Sequence, residues 1–208
     1  MASLKIHGIA RSRAIRNIWA AEECGAPYDH VKVNWTDGGT KDAAFLKLNP
    51  NAAVPAIEDG SFSMFESLAI DLYIAKKYGK GGFYPKSLED EARTWQWTLW
   101  VATEVEKHTG PYAMHTWMKP PAERDAKVAA EAWKALAKPF AVLDGQLAKA
   151  PYLLGKEFTI ADLNVACVFI AAVVNKQDFG QWKNMDAWLK RCLDRPAAKK
   201  ILALRAAG

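Results

Sequence analysis

Three stretches of this 208-residue chain carry residue types at spacings that could do chemistry. The first is Phe65-Glu66-Ser67-Leu68-Ala69-Ile70. Ser67 opens a helical pattern, and at a helix start the free N–H groups and the dipole favour a carboxylate. Its hydroxyl can donate, and Glu66 can meet an ammonium. An acid and a hydroxyl at a helix start therefore suit the zwitterionic head of an α-amino acid; alone, the same pair is an ordinary cap. The second stretch runs from Asn49 to Gly60 and contains Val54-Pro55. Pro55 opens a strand yet cannot donate to its ladder, which confines it to an edge or a special turn. If the Val54–Pro55 bond is cis, Val54 turns its N–H and C=O outward, where an extended peptide can pair with them as an added strand. A trans bond is the commoner state of an X-Pro pair. The third stretch is Gly8-Ile9-Ala10-Arg11-Ser12-Arg13, whose one hydroxyl is Ser12. Just ahead of a helix, that hydroxyl can stabilise an anion or cap the helix. Arg11, Arg13 and Arg16 would add a positive field, or are solvated charges on the first turn.

The elements that must position these residues follow from periodicity. Leu4 and Ile6 flank Lys5 as a short strand. Ile15, Ile18, Trp19 and Glu22 keep helical spacing until Gly25, a C-cap. Val31, Val33 and Trp35 alternate as a second strand, and 41–48 suits a short helix. Two apolar runs flank Asp59-Gly60, a hairpin signal. A helix then runs from Ser67 to Tyr78 and stops at Gly79. This order predicts a mixed four-stranded sheet with helices packed on it. Residues 1–79 form this domain, and 80–86, rich in glycine and ending near Pro85, form a linker. Residues 87–208 read as all-helical, with helices over 92–108, 123–149, 160–174 and 185–204. In 92–108, Trp95, Leu99 and Ala102 line one stripe and Trp97, Trp100 and Val101 another, so that helix packs against two surfaces.

Composition narrows the class. Half the residues are hydrophobic and a quarter charged, the globular balance. The longest apolar run, 165–174, is half of what a membrane helix needs, about 20 residues. The start lacks the basic and apolar regions of a signal peptide. Cys24, Cys167 and Cys192 lie far apart without CxxC spacing, which suits a reducing cytoplasm. The four histidines never meet cysteine or carboxylate at metal-ligand spacing, so no metal is expected. The net charge of +5 arises wholly beyond residue 79, since nine cations balance nine anions before it. Much of the excess is Lys190, Arg191, Arg195, Lys199, Lys200 and Arg205, which suits a soluble terminal helix end better than a nucleic-acid surface.

A further segment, Gly155 to Leu163, carries a folding signal. Thr159 and Asp162 have capping-box spacing, with Phe158 and Leu163 as a hydrophobic staple. The Val-Pro turn, the Glu-Ser helix start and this box, in this order, resemble the cytosolic glutathione transferase superfamily. Ser-Arg-Ala-Ile-Arg-Asn-Ile-Trp followed by Glu22-Glu23-Cys24-Gly25 and Pro27-Tyr28 adds to the likeness, which covers essentially the whole chain and follows a theta- or phi-like, serine-type pattern. The resemblance implies a thioredoxin-like domain joined to an all-α domain (the glutathione transferase fold), with the active site in a cleft of a cytoplasmic homodimer. It implies glutathione as co-substrate, with Glu66 and Ser67 on the γ-glutamyl group, Val54 and Pro55 at the cysteinyl backbone, and Lys41 on the glycine carboxylate. Relatives often carry glutamine or lysine two residues before the proline; here Ala53 lacks that side-chain contact.

Transfer chemistry needs the glutathione thiol ionised, and a free thiol near pKa 8.5 is only a few per cent thiolate at pH 7. Lowering it by two units takes about 2.7 kcal/mol. The resemblance makes Ser12 the catalytic hydroxyl, although an alternative alignment puts that position at Ile9. A flat hydrophobic electrophile would meet Trp97, Trp100, Glu104, His108 and Tyr112, with His115 nearby; each tryptophan would equally serve packing. The expected function is conjugation of glutathione to such an electrophile, or peroxide reduction with it. Competing readings are a non-catalytic interaction domain on the same fold and a glutathione-dependent isomerase or dehalogenase.

Overall fold

Leu4 and Ile6 bury their side chains in β1 (Leu4–His7) while Lys5 stays exposed, as the alternation predicts. The computed structural model describes residues 4–207, so Met1-Ala2-Ser3, on which the signal-peptide reading drew, and Gly208 lie outside the described residues. The sheet has the order β2-β1-β3-β4. β2 (Tyr28–Val31) is parallel to β1, β3 (Ala56–Asp59) is antiparallel to it, and β4 (Phe62–Phe65) is antiparallel to β3. Gly60, at φ 65, turns the β3–β4 hairpin where Asp59-Gly60 predicts it. The second strand differs from the sequence reading. It ends at Val31 rather than running through Trp35, because β1 ends first: Gly8 N–H closes on Val31 O at 2.9 Å, leaving later residues no partner strand.

The helices of this unit form where expected. α1 (Ala14–Cys24) closes on Gly25 in the left-handed conformation, with a Schellman-type pair of backbone bonds. A 3₁₀ turn over Gly39–Lys41 leads into α2 (Ala43–Leu48), capped by Asp42. α3 (Ser67–Tyr78) follows the hairpin.

The chain divides into two units, Met1–Tyr84 with Asp194–Gly208, and Pro85–Leu193. The assignment of all of 87–208 to the helical domain is therefore corrected, since α10 (Pro196–Ala207) joins the first unit. Arg195 grips Glu23 with two bonds of 2.8 and 2.7 Å, Lys200 meets Glu22 at 2.6 Å, and Arg205 donates to Ala10 O at 3.3 Å. The helix expected over 185–204 is in fact two, α9 (Lys183–Leu193) and α10. Pro196 starts α10 because its ring suits a first turn and cannot extend a preceding helix.

In the second unit α4 (Leu88–Trp100) continues through a π-helical stretch, Val101–Glu106, into α5 (Lys107–Ala113) and a second π stretch, Met114–Met118. Pro111 lies inside α5, where its missing N–H breaks the regular ladder, and five-residue spacing takes over on either side. Trp97, Val101 and Val105 turn inward, whereas Trp95 and Leu99 of the other predicted stripe are exposed. Asp125 caps α6 (Ala126–Leu147). The helix expected over 160–174 is α7 (Ile160–Ala166) and α8 (Ile170–Val174), joined by a 3₁₀ turn. No helix among the described residues is long and apolar enough to cross a membrane.

The capping box at α7 is formed, and its carboxylate does more than cap. Fully buried Asp162 accepts from Thr159 N (3.0 Å), Thr159 Oγ1 (3.2 Å), Leu153 N (2.9 Å) and Trp188 Nε1 (2.9 Å). A lost cap costs about 0.5–2 kcal/mol, and each stranded buried donor about 1–3. Asp162→Ala should therefore destabilise the protein by about 3 kcal/mol or more, read from the urea midpoint. A native midpoint would show that the box carries no stability.

Candidate functional site

The site is built over Gly8, at the end of β1. Gly8 has φ 137, and a Cβ there would stand 2.7 Å from Ala14 Cβ, 3.1 Å from Ser12 Oγ and 3.1 Å from Val54 Cβ. Only glycine allows this approach, which brings the Ser12 loop, the start of α1 and the Val54 turn together. His30 fixes the Gly8 carbonyl through a 2.6 Å hydrogen bond.

Ser12 is half-buried and its hydroxyl is fully engaged. It donates to Ile9 O at 2.7 Å and accepts from Ala14 N at 3.0 Å. The bond from Ala14 N holds the turn that leads into α1, whose N-cap is Arg13, so Ser12 stands one residue ahead of the cap position expected for it. Ile9 offers only its carbonyl.

The Val54–Pro55 bond is cis. Val54 is partly exposed, and neither its N–H nor its C=O joins a backbone hydrogen bond among the described residues. A peptide strand can use both groups. Buried Asn49 shapes the turn from beneath: its Nδ2 donates to Ala53 O at 2.6 Å and its Oδ1 accepts from Asn51 N at 3.1 Å. Asn49 stood in the motif, but a side-chain amide placed by a turn has no periodic signal.

Glu66 and Ser67 sit side by side at the start of α3 with opposite surroundings. Glu66 is exposed at φ 76, a backbone state rare outside glycine, and makes no side-chain cap. Such an outlier, at about 1–3 kcal/mol, points toward a functional constraint. Ser67 is buried, and its Oγ accepts from Arg16 Nη1 at 3.2 Å. Behind it, Asn17 Nδ2 donates to Ser67 O at 2.8 Å and to Asp71 Oδ1 at 2.6 Å. Burial pushes the Asp71 carboxyl up to about 8, against the opposing pull of the Asn17 hydrogen bond and the Arg16 charge. Arg16, expected only as a field source or a solvated charge, is buried against Ser67, and Asn17 and Asp71 escaped the sequence reading as a site. Their signal was polar residues on inward helical stripes, Asn17 beside Ala14, Ile18 and Ala21, and Asp71 beside Ile70 and Ile74.

Lys41 ends the 3₁₀ turn with its side chain exposed and makes no ion pair among the described residues. The three cysteines are buried and unbridged, and burial beside Glu23 and Asp71 raises the Cys24 thiol to about 12, so it is no nucleophile.

Of the side chains expected to hold an electrophile, Trp97 is buried against Trp100, ring centres 5.0 Å apart. Glu104 pairs with Lys107 at the surface, and His108 is half-buried. Tyr112 bonds to Gln177 and meets Trp117 edge-on and Trp133 at a tilt, with ring centres 5.4 and 4.9 Å apart. The structure thus groups Trp97 with Trp100 and gives Tyr112 its own aromatic neighbours. His115 Nδ1 accepts from Asp125 N at 2.9 Å, a structural contact.

Comparison with known proteins identifies the fold and the family. Residues 2–76 match the family described as glutathione S-transferase, N-terminal domain, and 105–196 match its C-terminal domain. The chain is 32% identical to glutathione S-transferase PARB of Nicotiana tabacum, covering 96% of this chain and 97% of that one. It superposes with TM-score 0.90 and 28% identity on maize glutathione S-transferase I in complex with an atrazine glutathione conjugate, covering 99% of both chains. It does so with TM-score 0.89 and 29% identity on a theta class glutathione S-transferase from Xanthomonas axonopodis pv. citri with glutathione bound, covering 96% and 97%. The chain belongs to the glutathione S-transferase family.

Proposed function

We propose that this chain joins the sulfur of glutathione to a hydrophobic electrophile. The thiolate attacks, a carbon–sulfur bond forms, and the electrophile's leaving group departs with its electron pair. The observation that carries the reading is the convergence over Gly8 of the Ser12 hydroxyl and the unpaired Val54 backbone. The Val54 groups hold the cysteinyl backbone beside Pro55, and Ser12 meets the sulfur. Glu66 takes the γ-glutamyl ammonium, and Ser67 with the α3 N-terminus takes its carboxylate. Lys41 faces the glycine carboxylate as a solvated cation. Trp97, Trp100, Glu104, His108 and Tyr112 supply the acceptor side chains. A non-catalytic interaction role needs none of the Ser12–Val54 arrangement.

The protein acts as a homodimer in a reducing cytoplasm, which its three unbridged cysteines suit. Leu88, Trp95 and Leu99 stand 70%, 44% and 65% exposed at helical spacing on α4, a stripe that a second copy would cover.

Three outcomes test this. Ser67→Ala removes a hydroxyl from the ligand carboxylate, so calorimetry should find glutathione binding about 1–3 kcal/mol weaker; unchanged affinity would reduce Glu66-Ser67 to a helix start. Ser12→Ala should raise the bound thiol's pKa by about one unit, seen in thiolate absorbance, and lower kcat at pH 7 about ten-fold with affinity held within a few-fold. An unaltered pH–rate profile with a lower Tm would make Ser12 a cap alone. Light scattering should show a dimer that Leu99→Glu converts to monomer, and a monomeric wild type would refute the α4 interface.

A further inference from the structure

We infer that Asn17 and Asp71 form a carboxamide–carboxylic acid pair joined by two hydrogen bonds, and that this pair is the positioning element holding the glutathione-binding end of α3 against α1. The positioning role rests on the proposed site at Glu66 and Ser67.

The Asn17 amide spends both donor hydrogens on α3, one on Ser67 O at 2.8 Å and one on Asp71 Oδ1 at 2.6 Å. That fixes its orientation, because a flipped amide would set oxygen against the Ser67 carbonyl. Two buried oxygens then remain without a partner, Asn17 Oδ1 and Asp71 Oδ2. They are the two free ends of groups already joined by one short bond. An amide and a carboxyl joined this way close a ring when the carboxyl is protonated: Asp71 Oδ2–H donates to Asn17 Oδ1. One proton thereby satisfies both orphans, whereas an ionised carboxylate would leave two buried acceptors unsatisfied.

The surroundings suit the acid. Asn17 and Asp71 are fully buried, and burial raises the carboxyl to about 8. The titratable groups that face it come from α1. Arg16, turned to Ser67 Oγ, opposes the shift, and Cys24 is itself held near 12 and neutral. The folded value lies above the unfolded value of 3.8, so the native state keeps the proton that the unfolded chain gives up. The resulting stability is complete below about pH 4 and is lost as pH rises toward 8. Ionisation releases the proton to solvent, opens the second hydrogen bond and loosens the anchor behind Ser67.

Binding of S-methylglutathione, which has no thiol to titrate, tests this on the full chain between pH 6.5 and 8.5. If only the protonated form is competent, wild-type affinity should fall about four-fold across the range. Asp71→Asn keeps both ring bonds without a titrating group; it should match the wild type at pH 6.5 and lose that fall, the ligand amine titrating alike in both. Asp71→Leu cannot make the ring and should bind weakly at both ends of the range. Infrared spectra should show a protonated buried carboxyl in the wild type near neutral pH, absent from Asp71→Asn. A wild type without that band, or an Asp71→Asn profile that tracks the wild type, overturns the inference. The band together with no binding at any pH overturns the site reading and the positioning role, while the pairing stands.

Discussion

A helix N-terminus can offer its free N–H groups to a ligand only if something other than a front cap fixes the helix, and here the buried polar seam between α1 and α3 does so. Glu66, in the N-cap position, makes no capping bond and stands at φ 76, so α3 is unblocked toward solvent. From behind, α1 sends Arg16 to the Ser67 hydroxyl and Asn17 to the Ser67 carbonyl and to Asp71. Burying polar groups is unfavourable unless they are paired, so this seam tolerates one register of α1 on α3 and little else. The same helix α1 closes over Gly8 through Ala14, which ties the Ser12 loop to the position of α3.

The helical unit solves a related problem with different chemistry. Asp162 and Asp71 are both fully buried carboxyls raised by burial. Asp162 is met by four donors, each favouring its anion, and so ties α7 to residue 153 and to Trp188 of α9. Asp71 has one donor, a neutral amide with an acceptor beside it. A carboxyl surrounded by donors is a fastening for other groups' hydrogens, whereas one paired with an amide fits as an acid.

Local rules made most of the fold legible. The limits of α3, the Gly25 cap, the Gly60 turn and the Thr159–Asp162 box are each decided within a few residues, where the turn or cap chemistry acts. The misses come from long-range partners. The second strand stops at Val31 because β1, more than twenty residues earlier, has ended. The last helix leaves the helical unit because Arg195 finds Glu23, 172 residues away, in a bidentate pair. Its cations looked like solubilising charge at a helix end, since nothing local distinguishes a paired arginine from a free one. At the proposed site, the motif residues Val54, Pro55, Glu66 and Ser67 are visible in the sequence, while Asn17 and Asp71 stand behind them as polar breaks in apolar stripes.

The catalytic role proposed for Ser12 has to be reconciled with a structural one. Its single hydroxyl proton is held by Ile9 O, and its oxygen already accepts from Ala14 N. To meet a thiolate it must release Ile9 O, exchanging a neutral hydrogen bond of about 0.5–1.5 kcal/mol for a charge-assisted one of about 1.5–3. The net gain is about 1–1.5 kcal/mol, roughly half of the 2.7 kcal/mol that a two-unit shift of the thiol needs. The bond from Ala14 N helps, because an oxygen that accepts donates more strongly. The rest falls to the positive end of α1, whose dipole contributes up to about 2 kcal/mol in partly buried geometry, and to the field of the arginines around the loop. In the proposed role, the contact that leads into α1 also sets the hydroxyl at the mouth of its dipole.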